Sequence, residues 1–326
     1  MDSMKKLQDR LSAYVDKRLL GQLGLARRPF VVEPAHAGMH SQVFFLTLEN
    51  ERPLVLKVIA KRQRLRSLVA CSRHLSCKGI AVPEILCADE DSRFFNRRGM
   101  HVVCEERICG ETMQHSSRPP ELLAEVAGFF AGMHGQTRGA WGDIEKGSRS
   151  GLFSYLYKKC AARVRDWSAA DAGATPALQN RLLGLLAQGE PAVNRIAAFS
   201  LCHCDPNPNN IIVRASDRKL FLLDAGTIRY LPRAIDYFML QAYFCFRNRE
   251  YAPVFEKAYM SHLSGKELQE FSDSQNFFRL YVAVLFMHDL TTRFAALGAD
   301  SPYHDEFAGL IPQAKKALME LLDSNG

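Results

Sequence analysis

Short apolar stretches separated by polar breaks mark the first 110 residues of the chain. They are rich in Val, Ile, Leu and Phe and occupy residues 42–48, 53–60, 83–88 and 101–108. Runs of this length between turn-forming residues are typical of β-strands. Between the second and third runs, Leu65, Leu68 and Leu75 follow helical spacing, and Gly79 supplies a stop signal. The pattern predicts several strands with one helix inserted among them.

Longer segments with helical periodicity follow Gly110. In the first of them, Leu122, Val126 and Phe130 fall close to one helical face. Two apolar stretches later interrupt the helical pattern and flank the polar turn at residues 216–218 like the strands of a hairpin. The sequence therefore predicts an α+β protein with a strand-rich first part and a mainly helical second part.

The composition is that of a folded protein of the cell interior. The chain has 326 residues, of which 47% are hydrophobic, so it can bury a sizeable core. Its first 20 residues are charged and amphipathic, unlike a signal peptide, and its longest apolar stretches are too short to cross a bilayer. Nine cysteines without a framework spacing favour reduced thiols over disulfides or a zinc site. We expect a cytoplasmic location and no metal bound through cysteine.

Charge is divided unevenly within a net charge of +7, with a basic first third and an acidic last third. A basic segment suits a polyphosphate ligand and an acidic one suits a cationic ligand, although solvated surfaces explain both. The helix predicted between the strands carries a basic face formed by Lys61, Arg62, Arg64, Arg66, Arg73 and Lys78. This face could approach an anionic membrane, but a solvated face is the more ordinary interpretation. Nucleic-acid binding is not expected, because no zinc, helix-turn-helix or aromatic RNA-binding signature accompanies the charge.

Two acids and an amide stand at the ends of the two hairpin strands. Asp205 and Asn210 precede the first strand, and Asp224 ends the second. Phosphoryl transfer needs a carboxylate that orients and deprotonates the attacking hydroxyl, together with oxygen ligands that hold Mg²⁺ against nucleotide phosphates. Asp205 fits the first role, and Asn210 and Asp224 fit the second. An Asn-rich turn followed by an Asp cap is the ordinary alternative.

The segment from His203 to Asn210, with Asp224 beyond it, resembles the aminoglycoside phosphotransferase and choline kinase family of the protein kinase-like superfamily. In that family the loop reads His-x-Asp-x-x-x-x-Asn, and a second Asp follows an apolar strand. The resemblance implies that Asp205 is the catalytic base and that Asn210 and Asp224 bind Mg²⁺. It implies a structural role for His203.

The same resemblance implies a two-lobed protein kinase-like fold. A small lobe with an antiparallel sheet and one helix is expected in residues 1–107, and a larger, mainly helical lobe in residues 108–326. The implied reaction transfers phosphate from ATP, with Mg²⁺ as cofactor, to a hydroxyl of a small molecule. The acceptor is expected to be an aminosugar, an amino alcohol or a sugar-like compound.

Lys57 is the one charged residue of an apolar strand, where a buried ammonium is costly unless it meets an anion. The resemblance implies that Lys57 contacts the nucleotide phosphates, and a snorkelling edge-strand lysine is the alternative. It implies further nucleotide contacts in the turn before Lys57 and, through backbone atoms, in the connector strand, at Gly38, Ser41, Cys104, Glu105, Glu106 and Arg107.

Two more residues match supporting positions of the family. Asp236, at the start of a later helix, resembles the residue that braces the catalytic loop, with an ordinary helix N-cap as the alternative. His134 ends a segment that resembles the first helix of the large lobe, and it is interpreted as structural.

One departure from kinases concerns the helix predicted at residues 61–79, which contains no glutamate to pair with Lys57. The lysine is expected instead to be held by Asp224, by Glu84 or by phosphate alone. A catalytically silent pseudokinase or nucleotide-binding scaffold is therefore an alternative function. An atypical protein kinase is another, disfavoured because the phosphate-covering turn has a single glycine, Gly38.

Overall fold

The structure is a computed structural model, and it describes most of the chain. The described residues are 2–25, 28–35, 42–90, 100–114, 119–167, 175–246, 248–296 and 304–324. Residue contacts divide the chain into two units. The first comprises Met1–Ser117 and Pro208–Ile228, and the second comprises Arg118–Asn207 and Arg229–Gly326.

The apolar stretches of the first third pair into a five-stranded antiparallel sheet in the first unit. Its strands are β1 (Phe30–Pro34), β2 (Gln42–Leu48), β3 (Leu54–Ile59), β4 (Ile85–Asp89) and β5 (His101–Glu106). They follow the order β1-β2-β3-β5-β4. The four strands that the hydrophobic pattern predicts are all present, and β1 is an additional strand.

One face of this sheet packs against a helical segment at the N-terminus. Helix α1 (Asp2–Tyr14) continues through a π-helical turn, Val15–Leu19, into the short α2 (Leu20–Gln22). Buried side chains of this segment join Leu56 and Cys104 in one hydrophobic cluster. Because side chains alternate along a strand, the residues next to these two belong to the opposite face of the sheet.

Helix α3 (Arg62–Cys77) lies between β3 and β4 in the sequence, as its apolar spacing predicts. Leu65, Leu68 and Leu75 are buried along it. The chain turns away at Gly79, which has a φ of 74° that favours glycine.

A three-stranded sheet completes the first unit. Its strands, in the order β12-β11-β6, are β6 (Gly110–Thr112), β11 (Ile211–Arg214) and β12 (Leu220–Leu222). The predicted hairpin is therefore present, with Ile211 opposite Leu222. Because β11 also pairs with β6, Pro208–Ile228 groups with the first unit. The lobe boundary between residues 107 and 108 stays a prediction.

Helices dominate the second unit. They are α4 (Pro120–His134), α5 (Leu152–Asp166), α6 (Pro176–Gln188), α7 (Glu190–Asn194), α8 (Ala234–Cys245), α9 (Ala252–Met260), α10 (Gly265–Ala296) and α11 (His304–Ser324). A second five-stranded sheet accompanies them, in the order β7-β10-β13-β8-β9. Its strands are β7 (Thr137–Arg138), β8 (Trp141–Gly142), β9 (Gly147–Ser148), β10 (Phe199–Cys202) and β13 (Arg229–Leu231).

The predicted fold class is confirmed: the protein is α+β, with an antiparallel sheet in its N-terminal part and mostly helices after it. Among the helices that the structure describes, none combines the length and the apolar character needed to span a membrane.

Candidate active site

The predicted catalytic loop follows β10, a strand buried along its whole length in the second unit. His203 is buried, and Cys204 has a φ of 65°, an unusual conformation for a residue other than glycine. Asp236 secures this turn from the first turn of α8, since its Oδ2 accepts a hydrogen bond from the His203 N–H at 2.5 Å and its Oδ1 accepts one from the Cys204 N–H at 2.9 Å. The loop is thereby fixed immediately before Asp205.

His134 extends this buried network. Its Nε2 lies 3.2 Å from Oδ2 of Asp236, and its Nδ1 lies 2.6 Å from the hydroxyl of Tyr259. Burial lowers the pKa of His134, although Asp236 opposes that shift. The neutral tautomer that satisfies both contacts carries its proton on Nε2, donates to Asp236 and accepts from Tyr259.

Cys202 lies close enough to His134 and Asp236 for the three to be considered as metal ligands. Burial raises the pKa of the Cys202 thiol well above its usual range, and its Sγ donates a hydrogen bond to the Leu231 carbonyl at 3.4 Å. Asp236 already accepts hydrogen bonds from the backbone. The cluster is therefore a hydrogen-bonded support of the loop.

Asp205 itself is half-buried. The side-chain amide of Asn207 donates a hydrogen bond to its Oδ1 at 2.9 Å, which fixes the orientation of the carboxylate. Burial raises the pKa of the Tyr243 hydroxyl, and the charges of Asp205 and Asp289 raise it further. The phenol of Tyr243 therefore stays protonated, and Asp289 is engaged in an ion pair, with its Oδ2 2.8 Å from Nε of Arg293.

Asn210 and Asp224, the two predicted Mg²⁺ ligands, lie at neighbouring ends of β11 and β12 in the first unit. The pairing of β11 with β12 extends one residue beyond Ile211 and Leu222, because the Leu223 N–H donates a hydrogen bond to the Asn210 carbonyl at 2.8 Å. Asp224 follows with a φ of 52°, and 35% of its side chain is exposed. An amide oxygen and a carboxylate are hard donors of the kind that Mg²⁺ prefers, with phosphates and water completing the shell. The pair fits this ion.

Lys57 is held by an acid of the neighbouring strand. Its Nζ lies 2.5 Å from Oε1 of Glu105, and the two side chains are 13% and 6% exposed. Lys57 stands opposite Val103 and Glu105 stands opposite Val55, so the pair is a diagonal contact on one face of the sheet.

The prediction that Asp224, Glu84 or phosphate alone holds Lys57 is therefore wrong. Glu84 instead pairs with Arg52 at 3.3 Å, and Asp224 lies 4.0 Å from Arg64. Glu105 escaped the sequence analysis because it was assigned only backbone contacts with the nucleotide. The signal that could have revealed it is an acid in an apolar strand that pairs with the strand of Lys57.

Some backbone groups at the end of β5 that are predicted to contact the nucleotide form hydrogen bonds within the chain. The N–H of Glu106 donates to the Glu84 carbonyl at 2.9 Å, and that of Arg107 donates to the Pro53 carbonyl at 3.1 Å. Cys104 faces the N-terminal hydrophobic cluster, and burial raises its pKa to about 12. The contact of this segment with adenine stays a prediction.

The other predicted nucleotide contacts, Gly38 and Ser41, lie outside the described residues.

The basic face of α3 is partly neutralised by acids. Arg62 and Arg66 both pair with Glu90, at 3.0 and 2.8 Å. Exposed cations remain at Lys61, Arg73 and Lys78. Contact of this face with a membrane stays a prediction.

Comparisons with known proteins bear on the family and the fold of the chain. A family model described as the phosphotransferase enzyme family matches residues 31–271, whereas no curated protein sequence matches the chain. A thermostable mutant of aminoglycoside phosphotransferase APH(4)-Ia, solved with ADP and hygromycin B, has a TM-score of 0.63 at 14% identity, over 95% of this chain and 98% of that one. An ethanolamine kinase of Plasmodium vivax has a TM-score of 0.62 at 14% identity, over 96% and 87%. The kinase-like fold and the resemblance drawn from the sequence are confirmed.

Proposed function

The chain belongs to the phosphotransferase enzyme family, and from that membership we propose that it transfers the γ-phosphoryl group of ATP to a hydroxyl group of a small molecule. The observation that carries this proposal is the hydrogen bond from the Leu223 N–H to the Asn210 carbonyl, which places Asn210 and Asp224 at neighbouring strand ends. Similar structures with ADP bound support ATP as the donor.

Asn210 and Asp224 hold Mg²⁺ in this proposal, since they offer one amide and one carboxylate oxygen. The ion, when bound with the nucleotide, supplies positive charge to the phosphate oxygens. Lys57 adds a second positive charge at the phosphates. Its place in the five-stranded sheet, rather than on a loop, suits a residue that must keep a fixed position.

Asp205 orients the acceptor hydroxyl and takes up its proton. A general base must be held within hydrogen-bond reach of the proton that it removes. The contacts of Asp236 with the preceding amides and of Asn207 with Oδ1 support this role, because they restrict both the backbone and the carboxylate. Catalysis then depends on alignment and electrostatics, as phosphoryl transfer generally does.

We infer an acceptor that is an aminosugar, an amino alcohol or a sugar-like compound. The acidic last third of the chain supports an acceptor that carries an amine. The names of the similar structures, an aminoglycoside phosphotransferase and an ethanolamine kinase, are compatible with such acceptors. None of the nine cysteines forms a disulfide, which supports a cytoplasmic location.

Phosphorus NMR of reactions with ATP, Mg²⁺ and a panel of these acceptors tests the proposal. The wild type is expected to form a phosphate ester, and Asp205→Asn to lower the rate about a hundredfold or more because the proton acceptor is lost. Asp323→Asn, the same change at an exposed acid of α11, should leave the rate unchanged. Ester formation by Asp205→Asn at the wild-type rate would rule out the assigned role.

A further inference from the structure

Lys57 has an acidic partner that α3 does not supply. The sequence of α3, Arg62–Cys77, contains no Asp or Glu, whereas Glu105 of β5 meets the lysine at 2.5 Å. We propose that Glu105 is the positioning residue of Lys57 and holds its ammonium for the nucleotide phosphates. This inference rests on the proposed function, in which Lys57 is a phosphate ligand.

The geometry leaves the lysine able to bind a phosphate. An ammonium has three N–H donors, and a contact with one carboxylate oxygen engages one of them. Lys57 is 13% exposed, so it retains access to a ligand, whereas Glu105 is 6% exposed and fixed within the sheet. The acid therefore orients the cation without covering it.

The pair is not needed to join the elements that carry it. Strands β3 and β5 already pair along their whole length, from Leu54 opposite Glu106 to Ile59 opposite His101. A buried ion pair generally contributes no more stability than well-packed apolar residues. Because strands β3 and β5 are already joined by their backbones, the presence of this buried ion pair between them points to a role for Lys57 in binding.

Asp89 offers a contrast within the same sheet. It is also buried, and its Oδ2 lies 2.9 Å from Nε of Arg18, which belongs to the π-helical turn of the N-terminal segment. This ion pair joins two separate elements, so a structural role accounts for it. Asp89→Asn is therefore a matched control for Glu105→Gln.

Dissociation constants for Mg²⁺-AMP-PNP and for adenosine, measured by titration calorimetry, test the inference. Adenosine lacks phosphates, so the ratio of the two constants reports on phosphate contacts and not on folding. Glu105→Gln should weaken Mg²⁺-AMP-PNP binding about tenfold and leave adenosine binding unchanged. Glu105→Asp should recover part of the loss. Asp89→Asn should lower the thermal midpoint and keep the wild-type ratio.

Lys57→Met completes a double-mutant cycle. If Glu105 acts through Lys57, Glu105→Gln should cause no further loss of Mg²⁺-AMP-PNP affinity in the Lys57→Met background. An unchanged ratio in Glu105→Gln, or additive losses in the double variant, would overturn the inference while leaving the proposed function in place. A wild type that binds no Mg²⁺-AMP-PNP would overturn both.

Discussion

Asp236 accepts hydrogen bonds from two consecutive backbone amides, and these contacts accompany the positive φ of Cys204. Each carboxylate oxygen serves one amide, while His134 adds a third donor. A residue at this position has to provide two acceptor oxygens, which an aspartate side chain has and an asparagine side chain does not.

Asp236→Asn is therefore expected to destabilise the protein by about 1–3 kcal/mol, because one buried N–H then faces an amide NH₂ group. Urea unfolding of the purified variant measures the loss, and the rate of phosphate transfer should fall with it as the support of Asp205 weakens. Asp273→Asn, at a more exposed acid of α10, is the control. Equal stability of the Asp236 variant and the wild type would contradict this account of the loop.

Single residues also show where sequence is informative and where it is not. The spacing of His203, Asp205 and Asn210 is local, so the motif could be recognised directly, and Asp236 followed from the same resemblance. The Lys57–Glu105 contact depends instead on the register of β3 against β5. Register is a long-range property that the alternation of side chains within one strand does not determine.

At the scale of elements, α4 contributes a buried titratable group, His134, to the hydrogen-bonded network beside the proposed catalytic loop. The folded state lowers the pKa of His134 through burial, whereas the unfolded chain has an ordinary histidine pKa near 6.5. Above that value both states are neutral at this residue. Below it the unfolded state binds the proton more readily, so stability is lost as the pH falls through about 6.5.

His134→Gln should reduce this acid sensitivity, because glutamine keeps a donor for Asp236 but does not titrate. Comparing thermal midpoints at pH 7.5 and 5.5 measures it, and the drop should be smaller in the variant than in the wild type. The residue contributes at most about 1.4 kcal/mol per pH unit to the difference. Identical drops in both proteins would contradict the direction of the pKa shift.

Elements with a strong period were predicted well, and short ones were not. Helix α3 and strands β2 to β5 have enough apolar positions to define a period. Strands β7, β8 and β9 have two residues each, too few for any period to appear. The π-helical turn at Val15–Leu19 likewise has no distinctive sequence signal.

At the scale of the whole molecule, the chain passes from the second unit to the first after Asn207 and returns after Ile228. The pairing of β11 with β6 explains why Pro208–Ile228 belongs to the first unit, since it joins residues about a hundred positions apart in the sequence. When the sequence is taken in chain order, the hairpin is assigned to the mainly helical part of the chain that precedes and follows it. Sequence therefore predicted the class of fold, whereas the distribution of the candidate residues between the units depends on this long-range strand pairing.

The measurement that tests the central claim most directly is thermal unfolding with AMP-PNP, with and without Mg²⁺, for the wild type, Asp224→Ala and Asp217→Ala. Asp217 lies at the turn of the same hairpin, paired with Arg214, and serves as the control. The account predicts Mg²⁺-dependent stabilisation of the wild type and of Asp217→Ala that is lost in Asp224→Ala, because a ligand stabilises the state that binds it. Stabilisation of Asp224→Ala equal to that of the wild type, or no stabilisation of any of the three, would contradict it.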